Sequence, residues 1–447
     1  EWPVLVVAPS SLRFVWRDQA AQWLPRIVGD DGAGVHVVKH GKDLPPRSAR
    51  IIVATYDMVR RYQQLRTRPD GTDFLVVIVD ESHVIKEASS QRAKAVVGLC
   101  KSARRAMLLS GTPALNRATE LYTQLEALLP SQMPSFTKFA ERYCEREVQR
   151  FGKRTIEKWG GAKRSEELNC LLTSSVMIRR LKKDVLDQLP PKRRMRVTLD
   201  SDLMDQELLQ EVRRKMRASD PTTEVASRSD TAELFRMTAE AKMPAVLEYM
   251  DLLLHSGKGK KFLVFGHHHK TLNSVQGKLQ ERGIQFVRID GRTPAVHRPD
   301  LVQRFQDNPA VQVALLSITA AGTGLTLTAA SLVVFAELYW VPGQMNQAED
   351  RAHRIGQRDC VTVQYLVAKD TLDDVLYKAL ERKSVNTTAI LDGRHRNSTA
   401  GCGASARQSP GAVVRSGSDE GQAKRELGPC SPECNSLPSK RPHVEAA

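Results

Sequence analysis

No stretch of this 447-residue chain is apolar for long enough to cross a bilayer, and no signal-peptide pattern is visible. Paired cysteines are missing as well. The seven thiols, Cys100, Cys144, Cys170, Cys360, Cys402, Cys430 and Cys434, are scattered, which fits a reducing compartment better than a disulfide framework. Zinc spacing is absent: Cys430 and Cys434 have no second pair nearby and read as free thiols in a flexible tail. His267–His269 resembles a metal cluster only at first sight, because consecutive histidines point to different faces and no acidic or cysteine ligand sits at useful spacing. Also missing is G-x-x-x-x-G-K-[ST], the loop whose backbone N–H groups and lysine cradle phosphates. What is abundant is positive charge. Lys and Arg number 67 against 51 Asp and Glu, a net +16, which points to a polyanionic partner, nucleic acid first. Hydrophobic content of 41% suffices for sizeable cores, and the length suggests two or three domains. The chain opens at Glu1 inside a strand-like run rather than at a methionine, and reads as a fragment.

Short apolar runs recur between helical patterns. Val4–Ala8, Ile51–Ala54, Phe74–Val79 and Ala106–Leu109 read as buried strands. Each ends in polar residues: Pro9-Ser10-Ser11, Thr55-Tyr56-Asp57, Asp80-Glu81-Ser82-His83 and Ser110-Gly111-Thr112-Pro113. That alternation predicts a parallel, doubly wound sheet with ligands at the carboxyl ends of its strands. From about 114 to 195 the chain reads as helices, with Met177–Leu186 amphipathic and strongly basic and Pro190-Pro191 a stop. A second α/β pattern follows, with strands at Lys261–Phe265, Phe286–Ile289, Val311–Leu316, Leu332–Phe335 and Val361–Leu366. The expected organisation is a first lobe over 1–195 with a helical insertion, a helical linker over 196–240 with a surface loop at 219–229, a second lobe over 241–390, and a disordered tail over 391–447.

Gln347–Gln357, QAEDRAHRIGQ, carries the sharpest signal. Read as a helix, it puts Gln347, Asp350, Arg351 and Arg354 on one wholly polar face, where a globular helix usually shows an apolar stripe. Two guanidinium forks at that spacing can grip one polyphosphate. The bland alternative is a solvated helix laced by Asp350–Arg354 and Glu349–His353 pairs. Asp80 and Glu81 close an apolar strand, where adjacent carboxylates need a counter-ion. Mg²⁺ on nucleotide phosphates would supply one, with Asp80 on the metal and Glu81 deprotonating a water; a helix-capping acidic turn is the alternative. Ser110 and Thr112 can relay the state of that turn, although an N-cap before Pro113 explains the same residues. Ser317–Thr326 offers glycines, hydroxyls and backbone N–H groups to a phosphate backbone, or is simply a tight loop.

The order of these motifs says more than any one of them. VVAPSSL, DESH, SGTP, VFGHH, RIDG, ITAAGTGLT and QAEDRAHRIGQ together resemble the superfamily-2 DNA translocases of the Swi/Snf type. RLKKDVLDQLP, TAEAK and FAELYW look like the annealing-helicase branch, which remodels replication forks. The resemblance covers roughly 1–390. It implies two RecA-like lobes with ATP and Mg²⁺ in the cleft. Asp80, Glu81, Arg351 and Arg354 would be catalytic, with Asp80, His83, Gln347 and Gly324 on the nucleotide and Ser110, Thr112 and Asp350 coupling. DNA, forked or at single/double-strand junctions, would touch Ser10, Ser11, Thr55, Tyr56, Thr319, Gly322 and Thr326. It also implies a monomer in the nucleus, working with replication or single-strand-binding proteins and rewinding DNA. A nucleosome-sliding remodeller and a catalytically dead DNA-binding scaffold are the rival expectations. Val341 stands where this branch commonly has Asn or Asp. Without the phosphate-cradling loop, the 447 residues alone are expected to hydrolyse ATP barely or not at all.

Overall fold

The computed structural model describes residues 2–151, 154–218, 228–256, 259–319 and 324–393. The surface loop expected at 219–229, Gly322, and the tail beyond 393 with its three cysteines lie largely or wholly outside those residues. Both sheets belong to one compact unit, Glu1–Arg396.

The first sheet is built from β1 (Val4–Ala8), β2 (Val35–Val37), β3 (Ile51–Thr55), β4 (Val76–Asp80) and β5 (Arg105–Leu109). All pairs are parallel, in the order β2-β3-β1-β4-β5. Parallel sheets are covered on both faces, so their central strands are apolar at every position. VLVVA and the first four residues of IIVAT obey this, and β3 is buried throughout, its polar end Thr55 included. β1 sits at the centre, with Val6 opposite Val53 on one side and Ile78 on the other. The register puts the polar strand ends together at one edge: Ser10, Thr55, Asp80 and Ser110. β5 is an edge strand that leaves Met107 and Leu109 half exposed, at 50% and 41%.

The region expected to be purely helical carries an antiparallel hairpin, β6 (Arg146–Phe151) with β7 (Arg154–Trp159). Its strands, REVQRF and RTIEKW, are rich in charge, so apolar periodicity did not show them. Around it, helices Tyr122–Leu128, Phe136–Tyr143 and Ser165–Ser175 bury Leu125, Phe139, Tyr143, Leu168 and Leu172 in a separate cluster. The basic stretch Met177–Leu186 forms only one helical turn, Lys182–Val185.

The second sheet has the order β10-β11-β9-β12-β13-β8 and is also parallel throughout. Its strands are β8 (Lys192–Thr198), β9 (Phe262–Gly266), β10 (Gln285–Ile289), β11 (Val311–Ser317), β12 (Leu332–Phe335) and β13 (Val361–Val367). β8 corrects the expected boundary. KRRMRVT pairs along its full length with β13, from Lys192 opposite Val361 to Thr198 opposite Val367. An outer strand needs only one covered edge, and charge protects the other, so this strand lacks an apolar run. The described residues of 196–240, that is 196–218 and 228–240, are likewise part of the second lobe and not a linker. Helices Gln206–Ala218 and Arg228–Ala241 bury Val212, Leu234, Phe235 and Met237 in its core. Lys242, only 1% exposed, donates to Asp373 Oδ2 at 2.8 Å and so ties TAEAK to the terminal helix Leu372–Asp392. The far end of that helix crosses back: Ile390 and Leu391 are buried in the helical cluster of the first lobe.

Candidate active site

β4 delivers Asp80 to the carboxyl edge, and three groups fix it there. Trp16 Nε1 donates to Oδ2 at 2.9 Å, the Glu81 amide donates to Oδ1 at 2.9 Å, and the Tyr56 hydroxyl donates to the Asp80 carbonyl at 2.5 Å. Burial raises the Asp80 carboxyl above its ordinary value despite the Trp16 bond. Glu81 is strained, with φ 53° in the left-handed region, which costs a non-glycine residue roughly 1–2 kcal/mol. Its Oε2 is buried and has no hydrogen-bond partner. It lies 3.3 Å from His83 Nδ1, near enough for an ion pair but not aligned as a hydrogen bond, and the same ring nitrogen is 3.3 Å from Ser110 Oγ. Strain and an unsatisfied oxygen together mark a carboxylate held for something other than stability.

The opposite wall comes from the second lobe, in a shape that the sequence did not predict. The helix spans Pro342–Glu349 and stops there. Asp350 caps it, and the following residues fold back as turns, because Leu327 N donates to the Arg351 carbonyl at 2.9 Å and the Gln357 amide binds the carbonyls of Thr328, Ala330 and Ala352. Arg351 and Arg354 therefore project from a turn, not from a helical stripe. Both reach the Leu325 carbonyl, at 3.4 and 3.2 Å, and Arg354 also donates to Thr326 Oγ1 at 2.9 Å. Arg351 is 5% exposed, and its Nε has no partner. Burial first, then the neighbouring Arg354, pushes its guanidinium down to about 10, while Glu81 on the other lobe pulls it up.

The pairs of the bland reading do not form. Asp350 turns to Lys182 at 3.0 Å and Lys192 at 2.9 Å, and the fully buried Glu349 turns to Lys192 at 2.8 Å and Arg194 at 2.7 Å. His353 Nε2 meets the Pro190 carbonyl at 2.7 Å.

The two walls touch. Gln347 Nε2 donates to Thr112 Oγ1 at 2.9 Å, and the Gly343 amide donates to the Leu115 carbonyl at 3.1 Å. Leu12 packs on Gly324, whose φ of 59° suits glycine. No helix begins at Pro113; the next helical turn is Ala118–Leu121, so Thr112 is not an N-cap. Glu120 Oε2 instead holds the loop, accepting from the amides of Leu115 at 2.7 Å and Asn116 at 3.0 Å. Gln124 joins this loop to the acidic turn, donating to the Pro113 carbonyl at 2.7 Å and accepting from Ser82 Oγ at 2.8 Å.

The residues expected on DNA divide into two groups. Ser10 and Thr319 are exposed, and Ser11 is half-buried with an unpartnered Oγ. Thr55 caps the helix Tyr56–Arg61 through Met58 N, Tyr56 is 5% exposed, and Thr326 serves Arg354. Sequence reasoning missed Trp16, Glu120, Gln124, Lys182, Lys192 and Arg194. Trp16 and Asp80 are 64 positions apart, and no local pattern could join them. Among the described residues no three His, Cys, Asp or Glu side chains could hold a metal by themselves. A cation at Asp80 and Glu81 would need ligand oxygens to complete its shell.

The SNF2-related domain matches residues 1–255, and the helicase conserved C-terminal domain matches 242–356. The mouse DNA annealing helicase and endonuclease ZRANB3 is 42% identical over 400 residues, covering 88% of this chain and 37% of its own length. The Xenopus tropicalis SWI/SNF-related matrix-associated actin-dependent regulator of chromatin subfamily A-like protein 1 is 42% identical over 387 residues, 86% of this chain and 40% of its own. Among solved structures, the C-terminal part of the Fun30 ATPase domain aligns with 46% of this chain at 16% identity and a TM-score of 0.36, too loose a match to bear on the site. The chain thus spans well under half the length of these two relatives. It carries both matched domains in order, on two parallel-sheet lobes, and belongs to the SNF2-related helicase family.

Proposed function

We propose that this chain is the motor of an ATP-dependent DNA translocase of the annealing-helicase kind, rewinding DNA and remodelling stalled replication forks during repair in the nucleus. One observation carries the hydrolytic part: Glu81 Oε2 and Arg351 Nε are both buried, both lack a hydrogen-bond partner, and lie on opposite lobes. Leaving either without a hydrogen bond is costly. A magnesium nucleotide between them would satisfy both. Asp80 would hold the metal, with His83, Gln347 and Gly324 around the nucleotide, and the metal supplies charge neutralisation at the β- and γ-phosphate oxygens. Glu81 orients the attacking water and takes its proton. Arg351 and Arg354 stabilise the charge that develops on the transferred phosphoryl group. Ser110, Thr112 and Gln347 report that state from one lobe to the other through contacts already made.

DNA would follow the polar edge, at Ser10, Ser11 and Thr319; Gly322, also expected on it from the sequence, lies outside the described residues. Tyr56 and Thr326 stand one step behind: one touches the Asp80 carbonyl and the other holds Arg354, so movement of DNA there reaches the chemistry. Forks and junctions as substrates, and replication or single-strand-binding proteins as partners, are supported by the sequence likeness to the two relatives.

The test uses the full-length protein and two readouts, DNA-stimulated phosphate release and rewinding of a duplex bubble kept open by single-strand-binding protein. Arg354→Ala should cost about 10³–10⁵ in turnover, with Arg354→Lys no better because the planar fork is lost. Near-normal turnover in Arg354→Ala would remove the phosphate role. Strand separation in place of rewinding would move the protein out of the annealing class.

A further inference from the structure

The connector between the lobes, from Arg179 to Lys192, grips both walls of the cleft. On the first lobe, Arg179 Nη1 donates to the Gly111 carbonyl at 3.2 Å, inside the Ser110–Thr112 loop. Its Nε also binds Asp392 Oδ1 at 2.9 Å, at the end of the terminal helix. Three residues on, Lys182 Nζ donates to the His353 carbonyl at 2.8 Å and pairs with Asp350 Oδ2 at 3.0 Å. The Pro190 carbonyl meets His353 Nε2, and Lys192 takes the other Asp350 oxygen. The circuit closes through Gln347, on the helix that Asp350 caps, which donates to Thr112 next to Gly111.

The His353 carbonyl belongs to the peptide that joins His353 to Arg354. Its bond from Lys182 therefore acts on the backbone between the two arginines. The rest of the turn is held by Leu327 and Gln357. Lys182 is 39% exposed and Asp350 37%, so removing the ammonium takes nothing from an apolar core. Asp350 keeps Lys192 as a partner. What disappears is one of the restraints that aim Arg351 and Arg354.

We propose that the connector is a transmission between the lobes, in which Lys182 is a positioning residue for the arginine turn and Arg179 ties that position to the Ser110–Thr112 loop. This rests on the reading of the cleft as an ATPase site. The arginines come into register only when the connector spans closed lobes, so hydrolysis is linked to closure by a covalent strap as well as by direct contact. The terminal helix has a say through Asp392, because its docking holds the same arginine that holds Gly111.

The experiment measures DNA-stimulated ATPase of the full-length protein. Lys182→Met should lower kcat about 10- to 100-fold, the scale of an ångström-sized misplacement, with the KM for ATP within about twofold and DNA binding unchanged. Lys182→Arg, still a long cation, should recover most of the loss. Arg179→Met should give the same split, and the double variant should be no worse than the worse single, as expected for residues acting as one unit. Should Lys182→Met fail to fold, Asp350→Asn loosens the same junction with little change in shape and carries the same expectation. Wild-type kcat, a loss confined to KM, or strictly multiplicative losses in the double variant would overturn the proposal. Arg354→Ala measured alongside separates the two readings. If it is dead while Lys182→Met is fully active, only the transmission fails; if both are fully active, the site itself has been misread.

Discussion

Gly343→Ala should leave each lobe as stable as before and yet slow the enzyme. Gly343 is the second residue of the helix Pro342–Glu349 and is buried against the first lobe. A Cβ there would lie 2.4 Å from Leu115 Cδ2 and 2.9 Å from Leu115 Cα. The methyl can rotate away, but the Cα cannot, because the Leu115 amide is bound by Glu120 at 2.7 Å. Ordinary carbon contacts are about 3.5–4.0 Å, so the lobes must part by roughly 0.6–1 Å at this point. The shift falls on the Gly343–Leu115 and Gln347–Thr112 bonds, a few residues from both arginines. A misplacement of that size costs up to about 100-fold in rate. Stability should move the other way, since alanine favours a helix over glycine by up to about 1 kcal/mol. The assay pairs thermal unfolding with DNA-stimulated phosphate release. The expected result is an unchanged or raised Tm with kcat down about 10- to 100-fold. Leu115→Ala should not rescue, because the backbone contact stays. Wild-type turnover in Gly343→Ala would show that the closed arrangement described here is not the one that hydrolyses ATP.

Two further outcomes test the site and its support. Trp16→Phe keeps a ring in the first-lobe core but removes the donor to Asp80 Oδ2; a bond to a charged acceptor is worth about 1.5–3 kcal/mol, so activity should fall and the Mg²⁺ requirement should rise, and an unshifted Mg²⁺ titration would show that Trp16 does not hold the metal ligand. Glu349→Gln tests the fully buried carboxylate: burial alone would raise it, but Lys192 and Arg194 outweigh burial and hold it below its ordinary value. A depressed carboxyl contributes stability that is complete above its unfolded pKa, about 4.3, and is lost as pH falls through the folded one. The variant should therefore be destabilised by about 1.5–3 kcal/mol at neutral pH, the worth of a hydrogen bond to a charged group, and the gap in Tm should shrink as the pH drops below the carboxylate range. A gap that is constant with pH would show that charge at Glu349 is not the cause.

The parallel sheets were legible because a central strand in such a sheet has no solvent face. VLVVA, IIVA, FLVVIV and VALL are apolar without interruption. β8 was not legible for the converse reason. Its side chains are charges that serve Glu349, Asp350 and Asp374, and its sheet membership lies in backbone bonds to β13. The hairpin β6–β7 escaped for want of apolar alternation. Asp80, Glu81, Arg351 and Arg354 stood out in the sequence as polar residues where apolar ones were expected, and the structure brings them to facing walls. The geometry inferred for the arginines was wrong nonetheless. A helical period assumes that the helix continues, and whether it does is decided by Leu327 and Gln357, through bonds that no window around Arg351 contains.

The surroundings of the arginines deny them the carboxylates nearest in sequence. The two carboxylates nearest in sequence, Glu349 and Asp350, are the obvious partners at helical spacing. They are taken instead by three cations from the connector and β8: Lys182, Lys192 and Arg194. Three positive groups thus neutralise two negative ones, and no described carboxylate forms an ion pair with Arg351 or Arg354. Two guanidinium groups share the Leu325 carbonyl, one of them almost fully buried. Burial is the larger cost and repulsion between the two like charges adds to it, which is why the Arg351 guanidinium is pushed down. Glu81 pulls it back from across the cleft, but that one carboxylate sits on a strained backbone and is itself unsatisfied. Turning Asp350 to Arg354 would offset the repulsion between the two guanidinium groups. The lysines of the connector hold Asp350 away, and among the described carboxylates none pairs with either arginine.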